Sequence, residues 1–156
     1  MRKTKYLAGL TFSFLFILFL TSGTTEETGV IWYTDFDKAV EAATEDDKTV
    51  MISFQGSDWC ANCMRLERTL FESAAFGAYA SENLVLLKLD FPARKKNQLS
   101  EAQQKHNDAL AEVYNKNGIF PTVIFLNKEK TILGELSHPS STVEEYMANI
   151  KSVIGE

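Results

Sequence analysis

Apolar positions along the chain recur with two different periods, which together predict a mixed α/β domain. Runs rich in β-branched, aliphatic and aromatic residues predict strands at 30–33, 49–54, 84–89, 122–126 and 131–136. Apolar residues three and four positions apart predict five helices. The first follows Asp35, the second begins at Cys60, and the others cover 74–81, 101–115 and 142–154. Alternating strands and helices favour a parallel sheet core, and the last two strands, joined by 127–130, predict an antiparallel hairpin.

The same spacing predicts which side chains face the core. The helix that begins at Cys60 places one face inward, and the last helix does the same with five residues. The expected core positions of these helices are Cys63, Leu66, Leu70, Phe71, Val143, Tyr146, Met147, Ile150 and Ile154. Phe76 is expected to be a core or helix-packing residue as well.

The N-terminal segment has the three parts of an export signal. Three basic residues precede residue 6, an uncharged 14-residue run covers 7–20, and small residues occupy 21–23. We therefore expect residues 1–23 to be a signal peptide and residues 24–156 to be one domain outside the cytosol, in the bacterial periplasm. The alternative is an uncleaved N-terminal anchor, although the apolar run is shorter than the ~20 residues that span a membrane.

Composition and charge narrow the classes of function. The 156 residues are 45% hydrophobic and 24% charged with only 3 Pro, which is typical of a globular chain. The formal net charge is −5, and removal of residues 1–23 leaves 13 basic and 21 acidic residues, a net charge of −8. With no long basic stripe, nucleic acid is a poor candidate partner. We interpret the basic cluster at 94–96 as a solvated loop and not as an anion site.

The only two cysteines, Cys60 and Cys63, carry the candidate chemistry. They lie where a predicted buried strand gives way to a predicted helix. The first turn of a helix has unpaired amide donors and a partial positive charge, and both stabilise a thiolate at neutral pH. Cys60 is therefore the expected nucleophile. Cys63, one turn later, is placed to resolve a mixed disulfide.

Three other interpretations of the cysteine pair are weaker. A purely structural disulfide that closes a four-residue loop contributes only about 2 kcal/mol. A structural zinc site needs four ligands, and the two histidines, His106 and His138, lie far from the cysteines and are not in a paired spacing. A chance pair of small core residues is disfavoured, because both cysteines of the chain fall at this single junction.

The segment from Phe54 to Cys63 resembles the thioredoxin superfamily. Its sequence, Phe-Gln-Gly-Ser-Asp-Trp-Cys-Ala-Asn-Cys, is similar to an exported bacterial branch with a Gly-Ser-Asp-Trp-Cys-x-x-Cys signature. The segments 89–92 and 120–122 add to the resemblance, which covers about residues 30–154. It implies an α/β, thioredoxin-like fold with a central mixed sheet, parallel in its core and antiparallel in its terminal hairpin, flanked by helices.

The resemblance also implies residues that bind substrate. In that family a cis proline before the third core strand faces the cysteine pair, which implies that Pro121 lies against Cys60 and Cys63. A proline there leaves the backbone of Phe120 free to pair with an extended substrate. Trp59 is expected to be a partly exposed cover of the site. From the residues alone, a trans proline that starts a strand is an equal alternative.

Three positions depart from the family pattern. Thioredoxins carry a buried acid in the strand before the motif, where the nearest equivalent here is Ser53, one residue out of register. Met64 follows the second cysteine in place of a common lysine, and Asn62 precedes it in place of a frequent aromatic. The proton acceptor for Cys63 is therefore open. Asp58 is a candidate, but we favour a turn role in which its side chain bonds to its own backbone.

Together these features predict an exported thiol–disulfide oxidoreductase that needs no cofactor and no metal. The expected partners are protein or peptide disulfides and a redox partner that supplies or accepts electrons, with membrane contact only if the N-terminal segment is uncleaved. The reductase direction is favoured, since neither Ala61 nor Asn62 is a histidine or a proline that would make the cysteine pair a strong oxidant. The alternative is a non-catalytic module, either a docking surface or a dithiol that binds a soft metal such as Cu(I).

Overall fold

The computed structural model describes residues 30–137 and 142–156, which form a five-stranded mixed sheet with helices on both faces. The predicted signal peptide at 1–23 and His138 lie outside the described residues. Among the described helices, none combines the length and apolar character needed to cross a membrane.

The elements follow the predicted order. They are β1 (Trp32–Tyr33), α1 (Phe36–Asp46), β2 (Thr49–Gln55), α2 (Ala61–Leu66), α3 (Ala74–Asn83), β3 (Leu84–Asp90), α4 (Glu101–Tyr114), β4 (Thr122–Leu126), β5 (Ile132–Leu136) and α5 (Val143–Ile154). A π-helical turn, Glu67–Phe71, continues α2, and a short 3-10 turn, Lys95–Asn97, precedes α4. β1 is shorter than predicted. The π-helical turn is an addition, because apolar spacing over so few residues does not distinguish it from α-helix.

The strands lie in the order β1-β3-β2-β4-β5. β3 pairs in parallel with β1 and β2, whereas β4 runs antiparallel to both β2 and β5. This arrangement confirms the predicted mixed sheet with a parallel core and a terminal antiparallel hairpin. The long parallel ladder between β2 and β3 ends with Gln55 opposite Asp90, so the loops that follow these two strands leave the sheet side by side.

Local side-chain bonds set the helix starts. Each of four N-cap residues accepts a hydrogen bond from the backbone N–H three positions later, which satisfies a donor that the helix leaves unpaired. These residues are Asp35, Ser73, Ser100 and Thr142. Polar cap residues before apolar runs are visible in the sequence, which is why the predicted helix starts are accurate.

The core forms two layers, one on each face of the sheet. Met51, Leu86 and Phe125 pack with α3 and α5 on one face, and the neighbouring positions Ile52 and Leu87 pack with α1 and α4 on the other. Of the predicted core positions, Cys63, Leu66, Leu70, Phe71, Phe76, Tyr146 and Ile150 are buried, and Val143, Met147 and Ile154 pack against them partly buried.

We expect Phe125→Ala to destabilise the domain by about 3–5 kcal/mol, because the fully buried ring leaves a cavity between β4 and the helices above it. Urea unfolding followed by circular dichroism measures the change. Val113→Ala, at a position 56% exposed on α4, is the control and should change stability by less than about 0.5 kcal/mol. Equal effects of the two substitutions would contradict the described core.

Candidate active site

The cysteine pair lies at the carboxyl end of β2. A turn after Gln55 brings Cys60 to the N-cap of α2, where its backbone N–H donates to the Gly56 carbonyl at 2.9 Å. Cys60 and Cys63 form a disulfide, with their Cα atoms 5.2 Å apart. The Cys60 sulfur also accepts a hydrogen bond from the Cys63 N–H at 3.1 Å. Cys60 is 7% exposed and Cys63 only 1%, so the Cys60 sulfur is the more accessible of the two and is also the one that accepts the amide hydrogen bond.

The turn before the cysteines is fastened to the end of β3 by Asp90. One carboxylate oxygen of Asp90 accepts from the Ser57 N–H at 2.8 Å, and the other accepts from the Ser57 hydroxyl at 2.6 Å. The Phe91 N–H continues the connection by donating to the Gln55 carbonyl at 2.8 Å. These bonds join the segment 89–92 to the Gly-Ser-Asp segment of the motif.

Asp58 reaches across to the loop that follows β3, and the predicted bond to its own turn is wrong. Its carboxylate accepts from the backbone N–H groups of Ala93 at 2.9 Å and Arg94 at 3.0 Å, and from the Asn97 side-chain amide at 2.8 Å. The Ala93 N–H in particular lowers the pKa of Asp58. A carboxylate that is ionised and engaged by three donors is poorly suited to accept a proton from Cys63.

Trp59 is half-exposed, as expected, and its indole is held in place from three directions. Its Nε1–H donates to the Phe91 carbonyl at 2.7 Å. Its ring meets the Phe120 ring edge-on, with centroids 5.4 Å apart, and Phe120 contacts Phe91 at the same separation. Gly56 lies directly beneath the indole, where a Cβ atom would overlap the ring. The side chain of residue 56 must therefore be absent for Trp59 to occupy this position.

The peptide bond between Phe120 and Pro121 is cis, which confirms the expectation drawn from the family and excludes the trans alternative. Thr122, the next residue, is paired with Phe54 in the antiparallel ladder of β4 with β2. This pairing places Pro121 at the same sheet end as the cysteine motif, and the contact between Phe120 and Trp59 joins the two segments.

A half-buried ion pair that the sequence did not predict lies one turn after Cys63. Glu67 donates its backbone N–H to the Cys63 carbonyl, and its side chain pairs with Lys88 at 2.6 Å. Its second carboxylate oxygen is buried without a hydrogen-bond partner, beside a cavity of about 310 Å³. Glu67 does not belong to the apolar face that the spacing predicts for this helix, which is formed by Cys63, Leu66, Leu70 and Phe71. Its pairing with Lys88 joins residues 21 positions apart, which apolar spacing within one helix does not reveal.

Ser53 on β2 is the residue nearest to the position where thioredoxins carry a buried acid. Ser53 is fully buried, and its hydroxyl accepts from the Gln55 side-chain amide at 2.9 Å. Sequence reasoning also missed Asn107, which is 1% exposed and donates its side-chain amide to the Asp90 carbonyl at 2.8 Å. Its spacing from Leu110 and Tyr114 on the same helix was the signal that it faces the sheet.

Comparison with known proteins agrees with this geometry. A family model described as thioredoxin-like matches residues 31–128. The disulfide bond reductase DsbH of Chlamydia pneumoniae is 29% identical over 119 residues, which are 76% of this chain and 70% of that protein. The thioredoxin-related protein DsbJ of the same organism is 23% identical over 130 residues, or 83% of this chain, although the match spans only 36% of DsbJ.

Solved structures give the same result at the level of the fold. A structure of a DsbH oxidoreductase superposes with a TM-score of 0.71 at 27% identity, covering 78% of this chain and 83% of that one. A thioredoxin from Thermus thermophilus superposes with a TM-score of 0.61 at 18% identity, covering 81% of this chain and 88% of that one. At that identity the second likeness concerns the fold alone.

We expect Asp58→Ala to speed amide hydrogen exchange at Ala93 and Arg94, because both lose their acceptor. Exchange followed by NMR measures this directly. Asp108→Ala is the control, since Asp108 is an exposed acid on α4 whose side chain accepts a hydrogen bond from the Gln104 side-chain amide, away from the loop after β3. The pKa of Asp58 is lowered in the folded protein. The stabilisation that the Asp58 carboxylate gives the fold is therefore complete above the ordinary pKa of 3.8 and is lost as the pH falls through the lowered pKa. Unchanged exchange at both amides would show that other contacts hold the loop.

Proposed function

The chain belongs to the thioredoxin-like family, and from this premise we propose that it is an exported reductase of protein disulfides. Its enzyme class is thiol–disulfide oxidoreductase. The observation that carries the proposal is the position of Cys60 at the N-cap of α2, where its sulfur accepts an amide hydrogen bond from Cys63. The same interaction stabilises a thiolate when the pair is reduced.

The proposed reaction transfers two electrons in two exchange steps. The Cys60 thiolate attacks one sulfur of the substrate disulfide, forms a mixed disulfide and releases the other substrate sulfur as a thiolate that takes up a proton. Cys63 then loses its proton, attacks the Cys60 sulfur and releases the second substrate thiol. The dithiol of the enzyme has become a disulfide, and the substrate disulfide has become two thiols. A dithiol donor returns the enzyme to its reduced form by the same exchange.

Trp59, Phe120 and Pro121 are proposed to bind the substrate. Proline at position 121 removes a backbone donor, and the backbone of Phe120 next to it offers groups for pairing with an extended peptide. The half-exposed indole of Trp59 and the ring of Phe120 form an apolar surface next to this backbone. Such a surface suits a substrate segment that is locally extended or unfolded around its disulfide.

The reductase direction and the location outside the cytosol are also part of the proposal. The relative DsbH, whose name describes a disulfide bond reductase, supports the direction. Ala61 and Asn62 between the cysteines are both exposed and uncharged, so they add no cation that would stabilise the reduced form strongly enough for an oxidant. The export-type pattern of residues 1–23 supports the location.

We expect a Cys63→Ser variant to accumulate mixed disulfides on Cys60, because attack proceeds and resolution cannot. Cys60→Ser should trap at least about tenfold less, since Cys63 is almost completely buried and has no equivalent cap position. Non-reducing electrophoresis with mass spectrometry measures the trapped species. Both variants should remain folded, because the four-residue bridge contributes only about 2 kcal/mol.

The double variant Cys60→Ser/Cys63→Ser is the control for thiol-independent capture. The enzymatic proposal fails if neither single variant traps a substrate and the wild type does not reduce a model disulfide with a dithiol donor. A Cu(I) titration of the reduced protein would then test the metal-binding alternative.

We expect the exported protein to begin near Thr24, because the apolar run at 7–20 has the length of a signal peptide core and is followed by small residues. N-terminal sequencing of protein recovered from the periplasmic fraction measures this. An intact Met1 recovered only from membranes would contradict cleavage and support the anchor.

A further inference from the structure

The loop after β3 carries three consecutive cations, Arg94, Lys95 and Lys96. All three residues are exposed. Within the part of the chain that the structure describes, none of the three forms an ion pair with a carboxylate. We refer to these residues as the basic rim. The rim is exposed, as the sequence predicted, but its place in the fold argues against the other half of that interpretation, which excluded a role toward anions.

Hydrogen bonds hold the basic rim beside the cysteine motif. Asp58, two positions before Cys60, accepts from the backbone at Ala93 and Arg94 and from the Asn97 side chain at the far end of the rim. Trp59 is bonded to the carbonyl of Phe91 in the same segment. Both ends of the loop are thus tied to the two residues that precede the nucleophile, so the three cations border the site.

Two carboxylates share this border, and both are bonded to backbone and side-chain donors of the turn and the loop. Asp58 accepts from the loop itself, and Asp90 accepts from Ser57 and from the Phe91 N–H. The cationic side chains are exposed to solvent. Bonds from neutral donors leave both carboxylates charged, so three cations against two acids give this border a net charge of +1, opposite in sign to the −5 of the whole chain.

We propose that the basic rim selects disulfide-bearing polypeptides with acidic residues next to the disulfide. The inference rests on the proposed function for its chemistry and adds the class of substrate. An acidic segment is repelled by the protein as a whole and attracted at the border of the site, which orients its approach toward Cys60. Attraction of this kind acts mainly on the rate of association and weakens as salt is added.

The test uses two peptides that share one intramolecular disulfide and differ only in their flanks, Glu in one and Gln in the other. Hydroxyethyl disulfide, which is uncharged, reports the basal reaction. The wild type should reduce the Glu peptide with a kcat/KM about tenfold above that of the Gln peptide at low salt. The variant Arg94→Gln/Lys95→Gln/Lys96→Gln should bring the ratio close to one while hydroxyethyl disulfide reduction stays unchanged.

A matched control removes three positive charges elsewhere, in Lys128→Gln/Lys130→Gln/Lys151→Gln. The turn that holds Lys128 and Lys130 follows Leu126, which pairs with Val50 at the start of β2, so it lies at the opposite end of the sheet from Cys60. Lys151 lies over the ring of Tyr79 on α3, the helix that ends where β3 begins. This variant has the same net charge as the rim variant and should keep the preference for the Glu peptide. Raising the ionic strength from about 0.01 M to about 1 M, which shortens the Debye length from about 30 Å to about 3 Å, should remove it.

Binding measured without turnover separates this inference from the proposed function. Fluorescence anisotropy with the Cys60→Ser/Cys63→Ser protein should show tighter binding of the Glu peptide and loss of that preference when the rim is neutralised. If the wild type reduces no disulfide but the binding preference is preserved, the proposed function is overturned, whereas the inference that the basic rim selects acidic segments stands.

The inference would be overturned if the wild type and the rim variant preferred the Glu peptide equally. It would also be overturned if the rim and control variants lost that preference to the same extent. It would also be overturned if the rim served a membrane. In that case the wild type would sediment with phosphatidylglycerol vesicles and the rim variant would not, while the ratio between the two peptides stayed the same.

Discussion

The parallel pairing of β2 with β3 is the constraint on which the site depends. The two strands are paired along their whole length, from Thr49 opposite Leu84 to Gln55 opposite Asp90. Because they end together, the turn that leads to Cys60 and the loop that begins at Phe91 leave the sheet as neighbours. Each loop then satisfies backbone groups of the other, and neither has to be stabilised by its own sequence alone.

Short polar and aromatic contacts complete what the strand pairing begins. Ser57 donates to Asp90, Asp58 accepts from the loop after β3, and Trp59 donates its indole N–H to Phe91. The contacts of these three consecutive residues, 57–59, fix the path of the chain immediately before Cys60. In the proposed reaction, the Cys60 sulfur is oriented by these cross-connections before substrate arrives, which lowers the entropic cost of the attack.

The electrostatic arrangement around the cysteines differs between the two sides of the motif. On the side of α2, Glu67 and Lys88 form a half-buried pair, and the Lys88 ammonium lies over the ring of Trp32, 4.6 Å from its centroid. On the side of the loop after β3, the acids are occupied by backbone donors and the cations are exposed. One side thus pairs its charges with each other, whereas the cations on the other side are exposed.

The sequence by itself determined the features that depend on neighbours along the chain. Apolar spacing and polar caps such as Asp35 and Thr142 identified the helices, and the junction of strand and helix at Cys60 identified the chemistry. Only the tertiary structure decided which segments meet. The order of the strands, the reach of Asp58 across to Ala93 and the pairing of Glu67 with Lys88 join residues far apart in the chain, and local periodicity carries no information about such contacts.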